Sequence, residues 1–182
     1  MTAKDQSDDR IVKGNHSQRI VSSAHLAVGE GAELSEFEFG LIVSWHAFSR
    51  WMERCMGAAG IQEVGALDVL VLHSVNHRGR DKKLSDICLV LNIEDTHLVT
   101  YSLKKLVKLG LVKGSRKGKE SIYAVTANGR AACGRYQEVR VNCLMDTLET
   151  LSLDTSEIVH VARMLRALSG LYDQAARSAA VL

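Results

Sequence analysis

The chain is predicted to be mainly α-helical with one small β-hairpin, and three observations predict it. Apolar residues recur at spacings of three and four over most of the sequence, and none of the 182 residues is proline, which would break helix interiors. Two short strand-like runs, Leu111 to Ser115 and Ser121 to Thr126, enclose an Arg116-Lys117-Gly118-Lys119-Glu120 turn. Around them the order is short helix, turn, second helix, Gly-Leu-Val step and basic hairpin. That order is the signature of a winged helix-turn-helix domain, here flanked by longer helices on both sides.

Length and composition agree with it. With 46% hydrophobic residues the chain can bury a real core, either as one compact domain or as a small domain plus an oligomerisation element. No apolar run approaches the roughly 20 residues that cross a bilayer, and Met1 to Arg10 is too polar and acidic for a secretory signal, so the cytoplasm is expected. The four cysteines, Cys55, Cys88, Cys133 and Cys143, form no CxxC pair, which suggests neither a zinc ribbon nor a disulfide scaffold.

Residues 1–33 read as a flexible arm, with a short helix near Arg19 to Leu26; their four Lys or Arg against five Asp or Glu leave no charge bias. A dimerisation helix follows over 34–60. Ser35 with Glu38 three residues later makes a capping box, and Leu41, Trp45, Phe48, Met52 and Cys55 recur at spacings of 4, 3, 4 and 3. The winged domain covers 61–130. It opens with a helix from Val64 to Asn76 carrying Leu67, Leu70, Val71 and His73, which the polar run to Lys83 closes. Leu84 to Leu91 is the next helix, with Leu84, Ile87, Cys88 and Leu91 in register and Ser85 in its first turn. After a turn from Asn92 to Asp95, a helix over Glu94 to Leu109 is stopped by Gly110. The C-terminal dimerisation helices occupy 131–182. Ala127 to Thr150 reads as a helix weakened at its start by Gly129 and Gly134. The last helix begins at the Asp154 and Glu157 box and carries Ile158, Val161, Ala162, Leu165, Leu168 and Tyr172 as a seam.

The helix before Gly110 is the candidate site. Turning about 100° per residue puts Val99, Leu103 and Leu106 on one side, with Ser102 and Leu109 beside them. His97, Tyr101, Lys104 and Lys108 fall on the other, flanked by Thr100 and Lys105. From Thr96 to Lys119 there are seven basic residues and no Asp or Glu, although the chain as a whole is only +2. Such a field suits a phosphate backbone rather than a small neutral molecule. Thr96, His97, Thr100 and Tyr101 are the candidates for base edges, and Ser85, Lys104, Lys105 and Lys108 for the backbone. Arg116, Lys117 and Lys119 of the hairpin are placed to reach an adjacent minor groove.

The stretch from Lys83 to Arg130 resembles the DNA-binding core of the MarR family of transcription regulators. The most specific marks are Leu106, Gly110, Leu111 and Val112, and the SIYAVTANGR strand-to-helix step; the likeness covers roughly residues 35–177. The resemblance implies a homodimer joined by its first and last helices, bound to a pseudo-palindromic operator in double-stranded DNA through two winged lobes. Two positions depart from the family. The hairpin lacks the usual Asp-x-Arg-type pattern, and Leu98 stands where a small hydroxylated residue is common, within reach of a thymine methyl.

Other constellations are weaker. Trp45, His46, Phe48 and Trp51 crowd one helix, and Trp45, His46 and Trp51 are candidates for a pocket holding a small-molecule effector, against the plainer reading of core and dimer packing. Cys55 or Cys88 would serve a redox sensor. His73 and His77 have metal-ligand spacing but no third ligand in register, so no metal is expected. No Gly-rich phosphate loop, GxSxG, HExxH or shared carboxylate pair is present; neither catalysis nor a cofactor is expected. The alternative function is a winged module for nonspecific, architectural DNA binding or for protein partners.

Overall fold

The computed structural model describes residues 32–118, 120–145, 147–148 and 154–182. The chain divides into two units, Met1–Ala47 and Phe48–Leu182. The arm foreseen at the N-terminus, with its short helix near Arg19 to Leu26, lies outside the described residues except for its last two. Helix α1, Ala32–Ala58, is the long helix the 4-3-4-3 spacing predicts. Its start differs. Ser35 lies inside the helix, three residues after its first described position, and is not its cap. In the first unit α1 exposes Ile42, Val43 and Trp45.

The second unit holds the core. Met52, Cys55 and Met56 of α1 meet Val69, Val71, Leu72 and Val75 of α2, Ala66–Asn76. Sequence periodicity had marked Leu67 and Leu70 on α2, yet these are only half-buried, because α2 is covered on more than one side. A 3₁₀ turn, His77–Gly79, leads to the strand β1, Lys82–Lys83, and to α3, Leu84–Leu91. Helix α4, Thr96–Lys108, starts two residues later than expected because Asp95 is its N-cap, its side chain accepting from His97 N at 2.9 Å. Val99, Leu103 and Leu106 are fully buried, as their spacing requires.

Two helices of the lobe end by the same left-handed closure. Gly110 takes φ +69°, which lets Leu111 N donate to Leu106 O at 3.0 Å and turns the chain into β2. Asn92, at φ +53°, does the same for α3, with Ile93 N donating to Cys88 O at 3.0 Å. An asparagine tolerates this region better than most residues.

The sheet is antiparallel in the order β1-β3-β2, with β2 Val112–Lys117 and β3 Glu120–Val125. Lys117 pairs with Glu120, so the hairpin turn is tighter than the five residues the sequence suggested. Gly118 supplies the positive φ, +64°, that such a turn needs. Strand β1 was not foreseen: two lysines inside a polar run carry no strand pattern, and only pairing with Tyr123 and Ile122 makes them one.

Helix α5, Ala127–Arg140, begins on Thr126, whose Oγ1 accepts from Gly129 N at 3.1 Å. Gly129 was expected to weaken this start. It is required there instead, since a Cβ would overlap the carbonyl oxygen of Leu111. The helix passes at Val141–Met145 into a π-helical turn; of the expected run to Thr150, residues 147–148 are helical and 146, 149 and 150 lie outside the described residues. Helix α6, Thr155–Ala179, is capped by Asp154, which accepts from Ser156 N at 3.1 Å. Asn92 Nδ2 donates to Asp173 of α6 at 3.2 Å. Among the described residues no helix is long and apolar enough to cross a membrane.

Candidate nucleic-acid interface

Helix α4 presents the expected outer face. Thr96, His97, Tyr101, Lys104 and Lys108 are all exposed, Tyr101 at 73%. No acidic residue occurs within the helix, so its outward field is set by Lys104 and Lys108 alone. Thr100 is half-buried and spends its hydroxyl proton on Thr96 O at 2.8 Å, which leaves its oxygen lone pairs as the group free to meet a partner. Leu98 is half-exposed beside His97, an apolar contact among hydrogen-bonding groups.

Lys105 is different. Its Nζ stands 2.8 Å from Asp68 Oδ2, and Asp68 is buried. The same carboxylate oxygen accepts from Gly65 N at 3.0 Å, closing the start of α2. Lys105 therefore ties α4 to α2 inside the lobe, away from the face formed by Lys104 and Lys108, where the sequence reading had grouped it. Asp68 was missed altogether. Its position three residues after Gly65 marks a helix start, but nothing local connects it with a lysine 37 positions on.

The wing carries Arg116 and Lys117 into solvent. Lys119 lies outside the described residues. The acidic residue of the hairpin, Glu120, is occupied by Lys83 at 2.7 Å, and that hydrogen bond holds the Lys83 ammonium above its ordinary range. Exposed Lys113 adds a cation at the base of β2, and Ser85 is exposed in the first turn of α3. The backbone candidates other than Lys105 are thus free to meet phosphate.

The remaining candidates are scattered. Trp45 and His46 are exposed in the first unit, and Trp51 packs half-buried against the core of the second. Cys55 and Cys88 are buried and desolvation raises both thiols, a setting that disfavours the reactive thiolate. His73 meets Tyr136 edge to face at 4.7 Å; its Nε2 is sealed from solvent without a hydrogen-bond partner, and burial pushes the ring below its ordinary pKa. Among the described residues no three His, Cys, Asp or Glu are grouped to hold a metal ion.

Residues 64–129 match the family described as winged helix DNA-binding domain. No curated protein sequence matches the chain. Solved structures do. A mutant of MarR from E. coli complexed with operator DNA superposes with a TM-score of 0.62 at 18% identity, over 78% of this chain and 99% of that one. Reduced AbfR bound to DNA gives 0.63 at 22%, over 77% and 94%. A MarR-family transcriptional regulator from Rhodococcus sp. gives 0.58 at 12%, over 76% and 95%. At these identities the likeness is one of fold, and the fold is that of the MarR-type regulators.

Proposed function

We propose that this protein is a transcription regulator that binds a pseudo-palindromic operator as a homodimer, with α4 in the major groove and the wing at the minor groove. One observation carries the reading: the outer face of α4 joins hydrogen-bonding residues, His97 and Tyr101, to unpaired cations, Lys104 and Lys108, over a fully buried inner face. Hydrogen-bonding side chains near the helix start read bases, and lysines nearer its end hold phosphates. MarR and AbfR, which share the fold, were each solved on DNA. The exposed apolar residues of α1 and of α6 support the dimer, since a free chain gains nothing from wetting them.

Selection of duplexes from a random pool by the purified protein, at about 0.15 M salt to screen nonspecific attraction, tests it. The expected product is an inverted repeat with half-sites about one helical turn apart. Retention without enrichment would replace the operator by architectural binding, and no retention would remove DNA as the ligand.

A further inference from the structure

The start of α4 carries an apolar surface that hydrogen bonds and phosphate contacts leave unused. Leu98 is 52% exposed and Tyr101 73%. Three residues apart, they stand about 60° from each other around the helix, neighbours at one edge of its outer face. Two turns further along the same edge, seven residues after Leu98, Lys105 is tied to Asp68 of α2 at 2.8 Å. The lobe thus takes up the far half of this edge and leaves the near half bare. Folding asks nothing of the Leu98 side chain: its backbone N–H donates to Asp95 O at 3.3 Å, a bond that any residue but proline would make there. A lone exposed leucine is ordinary. One set beside an exposed aromatic ring, on the helix that carries His97, Lys104 and Lys108 outward, marks a contact.

Charge decides what the bare half can meet. No Lys or Arg occurs from Ile93 to Leu103, while Glu94 and Asp95 are exposed immediately before the helix. Asp95 has already filled the helix N-terminus, accepting from His97 N at 2.9 Å. A phosphate brought there would face two carboxylates and no nearby cation. The part of a duplex that offers an apolar surface clear of phosphate is the floor of the major groove. There the 5-methyl of thymine is the apolar group among hydrogen-bonding edges.

We propose that Leu98, backed by the ring of Tyr101, reads the 5-methyl group of a thymine in each half-site, which makes an A·T pair at that position part of the sequence this chain prefers. The inference rests on the regulator reading above and specifies it. It also divides the work along α4, with a methyl met at the helix start and phosphates held by Lys104 and Lys108 nearer its end.

The test remakes the duplex recovered by the selection with uracil in place of thymine, one symmetric pair of positions at a time. Uracil removes the methyl and keeps every hydrogen-bonding group. At one position per half-site the exchange should lower affinity about fourfold, and about fifteenfold when both half-sites carry it, from the burial of one methyl at each. The loss should be the same at every salt concentration, because no phosphate contact has changed. Leu98→Ala, at an exposed helical position, should bind the thymine and uracil duplexes equally, and Leu98→Met should keep most of the preference. Indifference to uracil at every position, or an undiminished uracil loss in Leu98→Ala, would overturn the proposal and leave the regulator reading standing. A pool from which no duplex is enriched would take down the regulator reading, and this inference with it.

Discussion

Helices α4 and α6 are both amphipathic, yet only one of them finds its cover among the described residues. Val99, Leu103 and Leu106 of α4 are each at 0% exposure, whereas Ile158, Val161 and Leu171 of α6 stand at 45%, 52% and 58%. The stripes look alike in sequence. The difference teaches that periodicity announces an apolar face without saying whose surface will meet it. For α4 the partners are α2, α3 and β2 of the same lobe. For α6 the proposed partner is a second copy.

The comparison breaks most sharply at Leu103. Truncating it to alanine leaves a cavity in a fully packed core and should cost about 2–5 kcal/mol in denaturant unfolding. Val161→Arg, on the exposed stripe of α6, should instead leave the unfolding of the lobe unchanged. It should convert the proposed dimer to monomers in sedimentation and lower affinity for the proposed operator by about 100-fold, since a second half-site would no longer be tethered. A normal dimer in that variant would move the interface elsewhere.

Lysines sharpen the contrast on α4 itself. Lys104→Ala and Lys108→Ala should each shallow the dependence of log affinity on log salt by about one. Lys105→Met should leave that slope alone and cost stability of about 1 kcal/mol, because its pair with Asp68 is partly exposed. A reduced slope for Lys105→Met would return it to the DNA face.

His73 gives a smaller, pH-dependent effect. Burial holds its folded-state pKa below the ordinary value of 6.5, so below that pH the unfolded chain takes up a proton that the folded ring refuses. Stability from this residue is therefore complete above about pH 6.5 and declines as pH falls from there, by up to about 1.4 kcal/mol per unit. His73→Phe should flatten that limb of a pH series of thermal unfolding curves. Smallest is a rate difference. Exposed Cys143 should react with a thiol reagent well before Cys133, which burial pushes up to about 11, and uniform labelling of all four thiols would show the lobe opening as a whole.

Much of the lobe was legible because its signals are local. The limits of α3 match the run from Leu84 to Leu91, and Gly110 ends α4 for the reason its position suggests. What failed to show was pairing across distance. Strand β1 has no pattern of its own; it exists because Ile122 and Tyr123 lie alongside. Lys105 looked like its neighbour Lys104 until Asp68 claimed it. Trp45, His46 and Trp51 share one helix, and their spacing does not say which surface each of them meets.

The close approach of Gly129 to Leu111 has a mechanical consequence for the proposed dimer. Thr126 N donates to Leu111 O at 3.0 Å, Thr126 Oγ1 donates to Gly110 O at 2.7 Å, and Gly129 packs directly over the same carbonyl. The end of α4, the start of β2 and the start of α5 are thereby riveted at a single point with no compliant linker between them. In the proposed dimer, α5 would then act as the arm of a fixed-span caliper. The gap between two half-sites would be written into the stiffness of this joint, and an added methyl at Gly129 would force it open without altering any side chain on the outer face of α4.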